Sequence, residues 1–351
     1  MISSMRLIDS LLRPKEKLFV GAWNVRTMYE TSKTTQAADE MQRYKLDILG
    51  ISECRWIKSG RIRITSGHTT LYSGHNEKHQ SGVAIMISKD KIKTLLEWEP
   101  ISDRLIRARF NSKYCKLTII QCYAPTNDAD EEVKDEFYKQ LQMVVSKVPQ
   151  HDMLLIMRDL NAKVGIDNTD CEKSMGKHGC GIKNDNGERF IDFCLNNNQT
   201  IGGTIFPHKH IQKLTWKSPD GRTTNQIDHI TVNNKWSKSL HNVKVCRGAD
   251  VNSDHYLLKA ITKLKLRRNP KKQETKRKID VEKLKIPDTR KSFNLELKNR
   301  FKILEESLDD VEDIQERWDT IKKVHIEAAE KNCRLPNQEE QRVANTLYMG
   351  K

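Results

Sequence analysis

Eight polar residues of this chain stand at strand ends, where chemistry could begin: Asn24, Glu53, Tyr123, Asp159, Asn161, Asp228, Asp254 and His255. The most telling stretch is Met153-Leu154-Leu155-Ile156-Met157-Arg158-Asp159-Leu160-Asn161. An unbroken apolar run needs no polar alternation when both faces of a strand are covered, so Met153 to Met157 reads as a buried strand. Period-2 geometry then places Asp159 and Asn161 on one face at the strand's exit, the end at which open α/β sheets put their chemistry. Asp-x-Asn alone also opens turns, because both side chains bond their own backbone readily. The other strand ends give it meaning. Together the eight residue types fit one task, in-line attack of water on a phosphodiester. A hard divalent cation such as Mg²⁺ takes one or two carboxylates, substrate phosphate and water. A carboxylate must orient and deprotonate the attacking water, and fixed donors must meet the charge that grows on the phosphorane.

The elements that must position these residues follow from periodicity. Leu18 to Trp23 reads as a strand ending at Asn24, a helix follows from about Ser32 to Tyr44, and Leu46 to Ile51 is a buried strand ending at Ser52-Glu53. Shorter strands are expected at Thr69–Tyr72, Gly82–Ile87 and Leu105–Phe110. Leu117 to Tyr123 stops at Ala124-Pro125, where proline removes a ladder donor. Val133, Phe137, Leu141 and Val144 predict a helix over Asp130–Val148. A loop with Gly176, Gly179 and Gly181 leads to a helix carrying Phe190, Ile191, Phe193, Cys194 and Leu195. Strands return at Leu214–Trp216, Gln226–Val232, Val243–Val245 and Tyr256–Ile261. There is no internal repeat. This pattern predicts an α/β fold of two packed sheets flanked by helices over residues 18–261, preceded by a loose arm, residues 1–17.

Composition narrows the partners. Among 351 residues, 62 Lys and Arg outnumber 47 Asp and Glu, for a net charge of +15, and mean hydropathy is −0.72. Residues 1–261 hold 39 basic and 30 acidic side chains, and the remainder holds 23 and 17, so both portions are basic. A polyanion is the implied partner, nucleic acid above all. No stretch approaches the roughly 18 consecutive apolar residues of a membrane span, and the first residues lack an uninterrupted apolar signal core. The expected location is intracellular. The eight cysteines are irregularly spaced and read as buried thiols in a reducing compartment.

Lys263 to Lys278 carries nine Lys or Arg and one acid, Glu274, and reads as a basic linker, residues 262–290. Such a run is either a solvated segment or a nuclear import signal or nucleic-acid clamp. Leu297, Phe301, Leu304 and Leu308, then Val311, Ile314, Trp318, Ile321, His325 and Ala328, predict two amphipathic helices in a tail over residues 291–351. Their apolar stripes need a partner: the domain, each other or another chain. Asp309-Asp310 is read as solvated surface.

Six ordered motifs give a resemblance. Trp23-Asn24-Val25, Ser52-Glu53, Tyr123-Ala124-Pro125, Asp159-Leu160-Asn161-Ala162, Ile227-Asp228-His229-Ile230 and Ser253-Asp254-His255 occur in the order of the endonuclease/exonuclease/phosphatase superfamily. Within it the chain resembles the endonuclease domain of non-LTR retrotransposons of the RTE type. Asn24-Val25-Arg26-Thr27-Met28, Gln121 to Asn127 and Thr215 to Gly221 match that group. The resemblance implies a DNase I-like four-layer sandwich of two mixed β-sheets flanked by helices. It also implies a Mg²⁺-dependent DNA endonuclease, with Mn²⁺ as a substitute, that leaves 3′-hydroxyl nicks in the nucleus. Glu53 would ligate the metal with Asp254 as a second acidic partner. Asp159 would activate water, and Asn161 would hold it or the phosphate. His255, oriented by Asp228, would stabilise the phosphorane oxygens. Tyr123 and Asn24 would donate to phosphate or steady their neighbours. Trp216 suits a core position or a stack near DNA, and Arg26, Arg55 and Lys163 suit phosphate contact or plain solvation. Residues 262–351 look like the linker that would join a reverse transcriptase.

The chain departs from the family at Arg158, where glycine usually precedes the aspartate. A guanidinium there is expected to depress the Asp159 pKa and to crowd the backbone. Two other readings stand beside the nuclease. One is a different phosphoesterase of the same fold, and the other is a catalytically inactive, domesticated nucleic-acid or chromatin adaptor whose tail binds RNA or protein.

Overall fold

A computed structural model of the chain describes residues 10–266, 279–308 and 314–333. Residues 10–266 belong to one compact unit, and the helices beyond residue 278 belong to a second.

In the first unit, β1 (Leu18–Asn24) and β2 (Ile48–Ser52) run parallel, with α1 (Thr31–Arg43) as their crossover. The edge strand β3 (Ser59–Arg63), β4 (Thr69–Ser73) and β5 (Val83–Ile87) pair antiparallel to continue the sheet. The second sheet contains β6 (Leu95–Ser102), β7 (Leu105–Phe110), β8 (Leu117–Tyr123) and, after α2 (Glu131–Ser146), β9 (Met153–Asp159) parallel to β8. Next come α3 (Asp185–Asn196), β10 (Gln199–Ile201), the small hairpin β11 (Trp216–Lys217) and β12 (Thr224–Asn225), β13 (Asp228–Asn233), β14 (Leu240–Cys246) and β15 (Leu257–Thr262). The sheets have the orders β14-β15-β1-β2-β5-β4-β3 and β10-β13-β9-β8-β7-β6.

Alternation along the strands builds four layers. Val20, Ile48, Ile85, Ile119, Leu155 and Leu258 meet between the sheets. Leu49, Ile51 and Met86 point outward to Ala37, Ala38 and Met41 of α1, while Ile120, Leu154 and Ile156 point outward to Phe137 and Leu141 of α2 and Phe190 of α3. Each such buried aliphatic stabilises the fold by roughly 1.5–3 kcal/mol relative to exposure. The sheets touch beneath the ends of β2 and β8. There Gln121 Nε2 on β8 donates to Ser52 Oγ on β2 at 2.9 Å, and a Cβ on Gly50 would lie 2.0 Å from Gln121 Oε1. Glycine is what that contact requires.

Several local expectations change. The arm is described only from residue 10 onward, and there Leu11 and Leu12 are buried against the inter-sheet core while Leu11 N–H donates to Asn111. Strands β3, β6 and β10 have no clear signal in the sequence: β3 is largely exposed, β6 is interrupted by Pro100, and β10 is only three residues long. All eight cysteines are buried free thiols. No helix among the described residues is long and apolar enough to cross a membrane.

In the second unit, α4 (Pro287–Leu308) packs on α5 (Ile314–Asn332). Phe301 meets the His325 ring at 5.3 Å, Glu296 receives Arg300 and Lys331, and Leu304 and Ala328 are buried. The two stripes therefore pair with each other, although Trp318 and Ile314 stay exposed. Much of the basic run, residues 267–278, and the Asp309-Asp310 pair lie outside the described residues.

Candidate active site

Register brings the strand ends together. In the first sheet Asn24 sits opposite Ser52, so β1 and β2 deliver Asn24 and Glu53 to one edge. In the second, Asp159 lies between Tyr123 on parallel β8 and Asp228 on antiparallel β13. An isolated bridge from His255 to Trp216 ties the chain entering β15 to the hairpin beside them.

One amide joins the two sheets. Asn24 Nδ2 donates to Glu53 Oε1 and to Asp159 Oδ2, each at 2.7 Å. Ser253 Oγ donates to the Asn24 carbonyl at 2.7 Å, so the segment carrying Asp254 and His255 is fixed to the same residue. His255 presents Nδ1 to Asp228 Oδ2 at 3.0 Å and Nε2 to Asp159 Oδ2 at 3.9 Å. Ligand atoms of Asp159, Asp228 and His255 lie within 4.8 Å of one another, all buried.

The electrostatics follow from that burial. Burial pushes the Asp159 carboxyl up to about 7, Asp228 adds to the rise, and His255 and the Asn24 amide oppose it. Burial opposes charge on His255, but the Asp228 and Asp159 carboxylates outweigh it and raise its pKa to about 10. The Tyr123 phenol is pushed well above its ordinary range by burial, then by Glu53 and Asp159, so it remains an O–H donor.

Asn161 departs from the strand-face expectation. β9 ends at Asp159, and Asn161 takes a left-handed φ of +51° that turns its backbone N–H back to Asp159 Oδ1 at 3.3 Å. Asn184, the N-cap of α3, pins this turn: its Oδ1 accepts from Gly187 and Lys163, and its Nδ2 donates to the Asn161 carbonyl at 3.0 Å.

Arg158 requires a correction. Successive strand residues point to opposite faces, so its side chain leaves the site and enters the layer between β9 and α3. Its guanidinium lies 4.6 Å from the Phe190 ring centre and 5.0 Å from that of Phe193, and Nη2 donates to Thr231 Oγ1 at 3.0 Å. It neither depresses the Asp159 pKa nor crowds the catalytic face, and Asp159 is raised.

Around the rim, Arg55 Nη2 pairs with Glu53 Oε2 at 3.1 Å and Arg26 Nε stands 3.8 Å from Asp254 Oδ1. Trp216 is half-buried and donates its indole N–H to Asp254 Oδ2 at 3.0 Å, a tie to the site that neither a core position nor a DNA stack anticipates. Its place in the Thr215 to Gly221 motif is the available signal. Ser253 and Gln121 support the site without any mark in the sequence, because a serine or glutamine inside a strand pattern looks like any other. A cavity of about 480 Å³ under the loop after Val164 contains none of these residues.

With this geometry in place, the chain can be classed: it has the endonuclease/exonuclease/phosphatase fold. By sequence it is similar to craniofacial development protein 2 of Bos taurus, 38% identical over 257 residues that cover 73% of this chain and 43% of that protein. Craniofacial development protein 2 of Tragulus javanicus aligns with the same identity over 44% of its length. The chain thus spans less than half the length of these curated relatives. Solved structures with the same fold include the endonuclease domain of TRAS1, a telomere-specific non-LTR retrotransposon, at TM-score 0.51 and 15% identity over 71% of this chain and 99% of that one. Another is the AP endonuclease LMAP of Leishmania major, at TM-score 0.55 and 12% identity over 72% and 90%. A third is a variant of the 3′ phosphatase NExo from Neisseria bound to product DNA hairpin, at 0.53 and 18% over 69% and 98%. No protein-family model matches the chain.

Proposed function

We propose that this chain is a phosphodiesterase, dependent on a divalent cation, that nicks DNA and leaves a 3′-hydroxyl. The observation that supports it most is the Asn24 amide shared by Glu53 and Asp159, which couples a cation-binding carboxylate to a carboxylate–imidazole relay.

The residues fit a hard cation such as Mg²⁺. Asp254 Oδ1 is sheltered and accepts no hydrogen bond among the described residues, and Glu53 brings a second carboxylate at the partly open rim. The Asp159, Asp228 and His255 group is a poorer seat, because His255, kept protonated between two carboxylates, has no lone pair on Nε2 to offer a cation. A cation held by Glu53 and Asp254 would neutralise charge building on the phosphate oxygens. Asp159, with a pKa near working pH, takes the proton from water as the new P–O bond forms. The bond to the 3′-oxygen breaks and that oxygen takes up a proton. His255, kept protonated by Asp228, donates to a phosphorane oxygen, and the Tyr123 hydroxyl supplies a further donor. Asn24 holds Glu53 and Asp159 in register, and Asn161 positions water or phosphate beside Asp159.

The net charge of +15 suits a polyanionic substrate, and the names of two structural relatives, a retrotransposon endonuclease and an enzyme bound to a DNA product, support DNA. We read the chain as of retrotransposon origin and nuclear, its nick serving to prime reverse transcription. The inactive-adaptor reading drew on Arg158 and on the two apolar tail stripes; the guanidinium lies on the far face of β9, which leaves that reading with the stripes, of which Ile314 and Trp318 stay exposed.

The test is nicking of supercoiled plasmid by the full chain in Mg²⁺ or EDTA. Nicking is expected only with Mg²⁺, and Asp159→Ala and His255→Ala are each expected to lose about 10²–10⁴-fold. Nicking that survives EDTA or both substitutions would reject the mechanism. Cleavage of RNA ends or inositol phosphates but not plasmid would move the chain to another phosphoesterase of this fold.

A further inference from the structure

Beside the metal-binding edge, an exposed aromatic pair is built into the rim. Tyr29 is 65% exposed, and its ring meets that of His79 at 4.5 Å, inclined by 71°. An exposed tyrosine costs little by itself, but this one is held firmly. Met28, the residue before it, donates its N–H to the Cys54 carbonyl at 3.0 Å and accepts from the Trp56 indole at 2.8 Å, and Tyr29 N–H donates to Thr27 Oγ1. His79 Nδ1 donates to the Arg55 carbonyl at 2.9 Å. The His79 ring and the backbone that carries Tyr29 are therefore both tied to the loop that carries Glu53 and Arg55, and the Tyr29 ring rests against His79.

The backbone of this rim is strained as well. Arg26, Glu53, Arg55, Lys58 and Ser81 all have φ between +51° and +60°, a region that costs a non-glycine residue roughly 1–2 kcal/mol. Strain that neighbouring bonds over-determine is concentrated where a fixed surface is needed. Arg55, bonded to Glu53, and Arg26, 3.8 Å from Asp254, leave about half of their side chains to solvent on either side of Tyr29 in sequence.

We propose that Tyr29 and His79 form a stacking platform for an unpaired base, with the half-exposed Arg26 and Arg55 beside it to meet the backbone phosphate. The proposal rests on the nuclease reading and narrows it: the preferred substrate has an unstacked nucleotide beside the scissile bond. Aromatic faces bind single-stranded bases because every base has a π-face, whereas duplex bases are already stacked on each other.

The experiment is fluorescence anisotropy of the full chain in EDTA at one salt concentration, with a blunt, fully paired DNA duplex and with single-stranded DNA of the same length. The wild-type chain should favour the single strand. Tyr29→Ala should weaken that binding roughly tenfold and change duplex binding less than about twofold, and Tyr29→Phe should retain both. Equal loss on the two DNAs would mean that the ring packs on sugar, and no loss on either would mean that it is idle; either result overturns the platform while plasmid nicking by the wild type would keep the nuclease. A wild-type chain that binds neither DNA and nicks no plasmid removes the nuclease reading and the platform with it.

Discussion

Asp228 Oδ2 lies 3.0 Å from Nδ1 of His255, and both side chains are buried beside Asp159. A buried imidazolium persists only with such a partner, so the carboxylate sets both the orientation and the charge of the ring. Asp228→Asn should lower plasmid nicking by about 10²–10⁴-fold. It should also draw the His255 pKa down toward the ordinary histidine range, which titration of the imidazole by NMR would follow. A variant whose imidazole titrates as before would show that Asp228 does not govern it.

The rate at saturating Mg²⁺ should be bell-shaped in pH. Asp159 must lose its proton to act as a base, so activity should rise with pH through a value at or below about 7, its pKa in the cation-free site, since a bound cation favours the carboxylate. His255 must keep its proton, so activity should fall as pH passes about 10. A profile flat across roughly two units on either side of the Asp159 value would contradict its assignment as the base.

Stability carries the opposite sign. A carboxyl whose folded pKa lies above its unfolded value gives stability that is present below about 4 and lost as pH rises through about 7. At mildly alkaline pH the ionised Asp159 therefore costs stability, and Asp159→Asn should raise the unfolding free energy there by on the order of 1–4 kcal/mol while abolishing nicking. Urea denaturation above the Asp159 pKa in EDTA checks this, and an unchanged or lower midpoint would refute it.

Arg158 is a buried cation whose Nε and Nη1 find no acceptor among the described residues. Two aromatic rings and one threonine offset only part of its desolvation. Arg158→Met should keep nicking within about threefold and leave stability equal or greater, as apolar replacements of buried ionic groups often do. Arg158→Gly should cost about 2–5 kcal/mol through the void it leaves. If Arg158→Met lost activity at full stability, the guanidinium would have to act on the site through β9.

Gly50 lies where the sheets touch. Gly50→Ala places a methyl against Gln121 Oε1 and Met157 Cε, both fully buried, and should cost about 1–3 kcal/mol. Because Gln121 and Ser52 lie directly below Tyr123 and Glu53, nicking should fall with it; thermal denaturation and the plasmid assay together check both effects.

The sequence by itself determined the strand ends and most of the chemistry placed on them. Apolar runs that stop at Asn24, Glu53, Tyr123 and Asp159, and the strand that opens at Asp228, could be read because burial on both faces is written in composition, and a polar end is visible against it. The helices were legible from their three- and four-residue spacing. Only the tertiary structure decided what those ends do to one another. That Asn24 bridges Glu53 and Asp159 depends on two parallel registers in two different sheets, and no local pattern encodes a distance between sheets. The direction of Arg158 was decided by alternation carried to the end of β9, while Asn161 escaped that same alternation because the strand stops before it and its backbone turns left-handed. Edge strand β3, exposed along most of its length, left no hydrophobic signal, because an edge is defined by the neighbour it has in space. The pKa values of Asp159 and His255 belong wholly to the folded state, since burial and a charge 3.0 Å away exist only there.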